Sequence, residues 1–249
     1  MEKISATIIT YNEEKNIERC LKSLQGVADE IIVVDSFSND QTKEICLKYN
    51  VAFFERAFID YSDQKNFAIG QANYKLILSI DADEELSDQL KKSIIDIKHN
   101  WQYEAYSFNR MTNYCGKWIK HTGWYPDVQI RLFDKTTIKW VGIIHEKLDV
   151  SKDAICHLKG NLLHYSFYSI NQHIAQINRY SDLKAEQLYQ KGKKASVLKM
   201  IFSPIFKFIK HYFFYLGFLD GFYGFVISAN SAHSTFLKQV KLRQKRHGQ

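Results

Sequence analysis

The first hundred residues alternate short apolar runs with amphipathic stretches. Four runs of β-favouring residues predict strands, at residues 4–10, 30–35, 51–55 and 74–80. After the first run, Ile17, Cys20, Leu21 and Leu24 recur at helical spacing and give one apolar helix face. Because strands and helices alternate, the pattern predicts a parallel sheet with right-handed crossovers. This half is therefore expected to be an α/β unit of the nucleotide-binding kind.

Acidic side chains follow two of the predicted strands. Asp35 ends the second strand, and Asp81 and Asp83 follow the fourth. Ligands of open α/β sheets bind at the carboxyl ends of the strands, and alternate strand residues point the same way. Two carboxylates facing one crevice suit Mg²⁺ or Mn²⁺, with phosphate oxygens completing the coordination. The competing interpretations are a polar turn for Asp81 and Asp83 and a helix cap for Asp35.

The composition narrows the classes of partner and of site that the protein is expected to have. Lys and Arg number 34 against 27 Asp and Glu, a net charge of +7, which suits a nucleotide, a nucleic acid or an anionic membrane. The four cysteines have no CxxC spacing, which predicts reduced thiols in a cytoplasmic protein and no zinc site. No GxGxxG and no Walker A loop follows the first strand, so standard dinucleotide and P-loop sites are excluded.

Four blocks of the first half resemble the family 2 glycosyltransferases. In chain order they are TYNEE at 10–14, VVDS at 33–36 with Asp40, QKNFA at 64–68 and LSIDADE at 78–84. The resemblance implies an inverting, metal-dependent enzyme that uses a nucleotide sugar. It also implies a GT-A fold, an α/β architecture with a mostly parallel central sheet flanked by helices, here followed by a C-terminal helical extension.

Blocks of the second half resemble one subgroup of that family. They lie at 123–133, 145–147, 163–166 and 178–181. The subgroup adds β-1,4-glucose to the first heptose of the lipopolysaccharide or lipooligosaccharide inner core. The resemblance therefore implies a UDP-sugar donor and a lipid A–core acceptor. Phe37 stands where a glycine is expected. Related enzymes share these motifs with other sugars, so the donor and acceptor sugars stay open.

The resemblance also implies roles for individual residues on the donor side. Asp83 is implied as the main metal ligand, Asp81 is expected nearer the ribose, and Asp35 is expected to hold the uracil. The other residues expected at the nucleotide sugar are Thr10, Tyr11, Glu13, Lys65 and Arg131. Lys65 would otherwise be a solvated helix lysine, and Arg131 a surface ion pair. His145 is the expected third metal ligand, and the alternative for it is a core or helix-flanking histidine.

Inversion in a single displacement needs one general base opposite the leaving group. Asp127 is the expected base because it occupies the place of the acidic base motif of the family, and Glu146 is the runner-up. Trp124 and Tyr125 precede Asp127 and suit the face of an acceptor sugar. The alternative for Asp127 is a turn aspartate after Pro126.

Helical patterns dominate from residue 169 onward. We therefore expect a catalytic domain at 1–168, with a nucleotide-binding half to about 100 and an acceptor half at 101–168, then a helical extension at 169–249. Pro204 should kink or restart its helix. Charges interrupt the candidate spanning runs, and the uncharged stretch 221–237 contains Asn230, His233 and several serines, so a spanning helix is not expected. An aromatic and basic helix pair on the inner face of the plasma membrane fits better, the alternative being packing against the catalytic domain.

Two other classes of function compete with this prediction. One is a GT-A transferase or polysaccharide synthase with another donor or acceptor, although processive synthases carry spanning helices and a Gln-x-x-Arg-Trp motif. The other is a nucleotide or nucleic-acid binding module. Carboxylates at the ends of strands two and four would repel phosphate without a metal, so no nucleic-acid partner is expected.

Overall fold

The computed structural model describes residues 1–142 and 146–247, which form two compact units. The first unit comprises Met1–Arg110 and Asp127–Tyr165, and the second comprises Met111–Pro126 and Ser166–Gln249. The division thus differs from the predicted boundary at 168, because residues 111–126 group with the C-terminal helices. The physical reason is an aromatic cluster of the second unit, in which Tyr114 packs against Trp124, Phe167 and His173.

The first unit is built on a mixed sheet with the strand order β3-β2-β1-β4-β8-β6-β11-β5. The strands of the structure are β1 Ile4–Thr10, β2 Glu30–Asp35, β3 Ala52–Glu55, β4 Leu76–Asp81, β5 Glu84–Leu86, β6 Ala105–Tyr114, β7 Lys117–Trp118, β8 Asp127–Asp134, β9 Trp140–Val141, β10 Lys147–Leu148 and β11 Ile155–Phe167. Strands β1 to β4 pair in parallel, and β8 joins β4 in the antiparallel sense. The four predicted strands and their parallel arrangement are confirmed.

Both faces of the parallel strands are buried, as predicted. Val33 and Leu78 belong to one core cluster, whereas Ile32, Val34 and Ile77 belong to the other. Successive strand residues point to opposite faces, so a run that is apolar at every position covers both. This double burial fixes the register of the strands whose ends carry the acidic side chains.

Four helices accompany these strands: α1 Ile17–Leu24, α2 Thr42–Leu47, α3 Tyr61–Gly70 and α4 Asp88–His99. The predicted apolar face of α1 is completely buried. Asn12 lies five residues before the start of α1 and has a φ of +57°. There the Asn12 Oδ1 accepts a hydrogen bond from the backbone N–H of Asn39 (3.0 Å), so the residue fastens a loop instead of a helix.

The second unit is helical, with α5 Ile170–Gln190, α6 Val197–Ile209 and α7 Gly221–His247. A capping box between Ser169 and Gln172 starts α5. Helix α6 continues through Pro204 instead of restarting there, and a turn at 210–220 leads into α7. Lys241 and Lys245 on α7 pair with Asp182 and Glu186 of α5, so two basic side chains near the end of α7 take part in helix packing.

Within the described residues, no single helix combines the length and the apolar composition needed to cross a membrane. The segments Val197–Phe214 and Gly217–Arg246 together satisfy that test of length and composition, but they are bent by 71°.

Candidate active site

A cavity of about 480 Å³ opens in the first unit at the carboxyl ends of β1, β2 and β4. The strand register places Thr10 beside Asp35 and Ile9 beside Asp81. The residues that line the cavity are Ile9, Thr10, Tyr11, Glu13, Ser36, Phe58, Tyr61, Asp81, Ala82 and Asp83. Parallel strands bring residues from distant parts of the chain to one edge, which is why five of the predicted donor-side residues meet here.

Asp35 is connected to the cavity by a hydrogen bond from Thr10, which lines it. Its Oδ1 accepts hydrogen bonds from the Thr10 and Ser38 hydroxyls, both at 2.6 Å, and its Oδ2 accepts one from the Ser38 N–H at 2.7 Å. The carboxylate is almost completely buried. It therefore holds the loop after β2 in place through Ser38, which resembles the capping role considered for it. Its Oδ2 can still accept a hydrogen bond from a further donor.

Asp81 is held between two cations. Its Oδ2 accepts a hydrogen bond from Arg131 Nη2 at 2.7 Å, and its Oδ1 lies 3.2 Å from Lys65 Nζ. Burial favours the neutral acid, but Arg131 and Lys65 outweigh it and hold the pKa of Asp81 well below its usual range. Both oxygens of Asp81 are thus occupied by side chains of the protein, and Asp83 is the freer of the two carboxylates towards a metal.

Glu84 extends this arrangement into the core. Its Oε2 accepts the N–H of Asp81 (2.8 Å), and its Oε1 accepts from Arg131 (3.1 Å) and Arg110 (3.4 Å). The result is a continuous ion-pair network of six residues, in order Lys65, Asp81, Arg131, Glu84, Arg110 and Asp127. Sequence reasoning missed Glu84 and Arg110. The signal for Glu84 was its place inside the acidic DADEE block, and Arg110 had none.

Asp127 is the first residue of β8 and ends the ion-pair network. Its Oδ2 accepts from Arg110 Nε at 2.9 Å, and its Oδ1 accepts from Gln129 Nε2 at 2.7 Å. Its side chain is 35% exposed, so the carboxylate is oriented by the protein yet open to solvent. Trp124 and Tyr125 belong to the second unit, where the ring of Trp124 packs 5.5 Å from that of His173.

Asp83 pairs with His164, which belongs to the block at 163–166 and has no role predicted from the sequence. His164 Nε2 lies 3.2 Å from Asp83 Oδ2, because β11 pairs with β5 and sets His164 opposite Glu84. Burial works against a charged His164, but the hydrogen bond and charge of Asp83 outweigh it and raise the pKa of the imidazole. The two side chains form a carboxylate–imidazole pair, of which Asp83 lines the cavity.

Glu13 makes the cavity strongly acidic. Burial, together with the charges of Asp83, Asp40 and Asp81, raises its pKa to about 7 against a hydrogen bond from Asn16 that lowers it. Such crowding of carboxylates favours a bound cation. Among the described residues, no group of three or more His, Cys, Asp or Glu side chains forms a ready metal site. His145 lies outside the described residues.

Glu146, the runner-up for the base, contacts the opposite end of the ion-pair network. Its Oε1 lies 3.4 Å from Lys65 Nζ, and that ammonium group sits 4.6 Å from the centre of the Trp140 ring. Lys65 and Arg131 are both almost fully buried. The bland alternatives for these two residues, a solvated lysine and a surface ion pair, do not describe what the structure contains.

A family model described as Glycosyl transferase family 2 matches residues 5–151, more than half of the chain. The chain belongs to glycosyl transferase family 2. The predicted family is confirmed, and with it the GT-A fold: a parallel half that carries the acidic cavity, an antiparallel half, and a C-terminal helical region. The matched residues include the carboxyl ends of all three strands that contribute to the cavity.

Relatives extend the similarity over the whole chain. An uncharacterized glycosyltransferase of Rickettsia typhi is 35% identical over 98% of this chain and 88% of its own length. The lipopolysaccharide core biosynthesis glycosyltransferase LpsC of Rhizobium meliloti is 27% identical over 97% of this chain and 92% of its own. Among solved structures, S. aureus TarS in complex with UDP-GlcNAc matches with a TM-score of 0.48 and 14% identity, covering 99% of this chain and 92% of that one.

Proposed function

We propose that this glycosyltransferase moves a hexose, expected to be glucose, from a UDP-sugar to a heptose of the lipid A–core, with inversion at the anomeric carbon. The observation that carries the donor half of this proposal is the acidic cavity at the ends of β1, β2 and β4. The acceptor half is supported by the similarity to LpsC over nearly the entire chain.

The nucleoside of the donor would bind between the β1 and β2 loops. Tyr11 is 59% exposed on the cavity wall, so its ring face is available for stacking on a base. Phe58 and Tyr61 add two further half-exposed rings, 5.1 Å apart in an edge-to-face arrangement. Asp35, fixed by Thr10 and Ser38, would accept a hydrogen bond from the base.

The acidic side chains at the cavity suit a divalent cation whose remaining positions are filled by phosphate oxygens of the donor, because Glu13, Asp81 and Asp83 all line it. Asp83 would hold the ion, with Glu13 beside it, and His164 would orient the Asp83 carboxylate; Mg²⁺ or Mn²⁺ suits these oxygen donors. His145 remains the further ligand predicted from the sequence. When bound, the cation stabilises the charge that grows on the diphosphate as the glycosidic bond breaks.

Asp127 would take the proton of the acceptor hydroxyl. Arg110 and Gln129 orient its two oxygens, which is the fixed geometry that a general base requires. Lys65 and Arg131, which both pair with Asp81, would bring two positive charges close to the phosphates. Trp124 and Tyr125, which directly precede Asp127 and Pro126 in the chain, would contact the acceptor sugar.

A donor screen tests the proposal. Release of the nucleoside diphosphate is measured from UDP-glucose, UDP-galactose, UDP-N-acetylglucosamine and GDP-mannose, with and without a heptose-containing lipid A–core acceptor. We expect UDP-glucose to be used best and the acceptor to increase turnover. Preference for another donor, or for another glycan acceptor, would support the competing function, a GT-A transferase of another surface polysaccharide. Turnover of none of the four donors would contradict both.

A further inference from the structure

Helix α6 leaves its apolar side chains in solvent. None of its thirteen residues is buried, and Leu198, Phe202 and Phe206 are each more than 60% exposed. These three residues follow one another at intervals of four, so they share one face of the helix. A surface helix of a water-soluble unit ordinarily turns such a face to the core. This face is therefore a candidate contact surface for another molecule or for a lipid bilayer.

The exposed apolar residues continue beyond α6. Phe214 is 74% exposed in the turn, and Leu219 and Phe222 are 55% and 68% exposed where α7 begins. Ring contacts of Tyr212 with Phe218 and Phe225, at 6.2 and 5.9 Å, join this turn to α7. We call Leu198, Phe202, Phe206, Phe214, Leu219 and Phe222 the apolar surface of the second unit. Its size exceeds what scattered surface residues explain.

Positive charge surrounds the apolar surface. Residues 187–249 carry eleven lysines and arginines, of which Lys241 and Lys245 pair with Asp182 and Glu186 of α5, and a single acid, Asp220, which is buried. Lys199 and Lys207 lie on α6 itself. Burial together with the charges of Lys207, Lys184 and Lys199 lowers the pKa of Lys238 on α7, so these ammonium groups are close enough to repel one another. Such a surface needs an anionic partner to become favourable.

We propose that α6, the turn after it and the start of α7 dock on the surface of an anionic lipid bilayer. The apolar surface would enter the boundary between headgroups and acyl chains, and Lys199 and Lys207 would contact the lipid phosphates. This inference goes beyond the transfer of a sugar and does not depend on it. A bilayer supplies apolar depth and diffuse negative charge together, which matches both properties of the surface.

A second copy of the chain fits this surface less well. In a symmetric dimer the same patch meets itself, so the lysines of one copy would face the lysines of the other. Like charges at an interface oppose association. The described residues of α6 include no acid that could compensate. The lipid surface is for this reason the favoured occupant.

Cosedimentation of the full chain with lipid vesicles tests the proposal. Vesicles of neutral phosphatidylcholine are compared with vesicles that contain a third of anionic phosphatidylglycerol, at low and high salt. We expect the anionic vesicles to bind the protein at low salt, and high salt to release only part of it, because the apolar component is not screened. Failure to bind anionic vesicles at low salt would overturn the proposal.

Two pairs of variants separate the components. Leu198→Gln/Phe206→Gln should weaken binding at either salt concentration by about tenfold or more, since two large apolar groups are removed. Lys199→Gln/Lys207→Gln should weaken binding to anionic vesicles by about thirtyfold at low salt and much less at high salt. Because the mutated side chains are not buried, both variants should keep the thermal unfolding midpoint of the wild type.

Matched controls lie in the first unit. Leu47→Gln/Ile95→Gln removes two exposed apolar side chains, and Lys48→Gln/Lys92→Gln removes two exposed charges, without touching the second unit. Neither control should change vesicle binding. Equal loss in the controls, or unchanged binding of Leu198→Gln/Phe206→Gln, would contradict the assigned surface. The assignment would also be contradicted if light scattering showed a dimer of the wild type and a monomer of Leu198→Gln/Phe206→Gln, since a second copy would then occupy the surface.

Discussion

The buried carboxylate of Glu84 is predicted to be the main stabilising element of the ion-pair network. Its side chain is fully buried and bonds to three groups: Arg131, Arg110 and the N–H of Asp81. Glu84→Gln keeps the shape of the side chain but removes the charge. Breaking a buried ion pair from one side typically costs about 3–5 kcal/mol. Each arginine keeps a second carboxylate here, Asp81 or Asp127, so we expect a loss of about 2–3 kcal/mol.

Thermal unfolding measures this loss. For a chain of this size, 1 kcal/mol corresponds to about 2–4 °C, so the midpoint should fall by roughly 5–10 °C. Glu85→Gln is the matched control, because Glu85 is the next residue, accepts a hydrogen bond from the hydroxyl of Tyr165 and is not one of the residues of the ion-pair network. The control should shift the midpoint by about 2 °C or less. Equal midpoints for Glu84→Gln and Glu85→Gln would refute the central place of Glu84.

Two further predictions concern the base and the pH dependence of stability. Asp127→Asn should abolish transfer with little change in the affinity for UDP. Arg110→Lys should lower kcat without raising the KM for the donor. If Glu146→Gln lost activity while Asp127→Asn stayed active, the role of the base would move to Glu146. Burial lowers the pKa of His173 to about 4, so the unfolded chain binds more protons than the folded chain between pH 6.5 and 4. The free energy of unfolding should therefore decrease by up to about 3 kcal/mol as the pH falls through that range. Unfolding midpoints measured against pH should show this slope, and His173→Gln should flatten it.

Local patterns were sufficient to predict the parallel half of the fold. Strand β4 and helix α1 are recognisable because their apolar residues follow the period of the element that buries them. Strand β5 has three residues and exists only because it pairs with Leu162–His164, nearly eighty positions later. No local signal predicts such a strand, and Glu84 and His164 meet their partners through it.

The candidate site was predictable as a set of acids but not as a network. The DADE block pointed to Asp81 and Asp83, and both line the cavity. That Asp81 would be held by Lys65 and Arg131 depends on contacts between residues sixteen and fifty positions away. Arg110 shows the same limit, because its two carboxylate partners come from different strands. Sequence periodicity places elements, whereas pairing between elements decides which charges meet.

The binding of UDP in the presence of Mn²⁺ tests the central claim most directly. Calorimetry or thermal shift is measured with UDP, with and without Mn²⁺, on the wild type, on Asp83→Asn, and on Asp96→Asn, which changes an exposed acid of α4. We expect Mn²⁺ to tighten UDP binding in the wild type and in Asp96→Asn, and to have little effect in Asp83→Asn, whose cavity lacks one carboxylate. Equal tightening in Asp83→Asn, or binding of single-stranded DNA in place of UDP, would contradict the account.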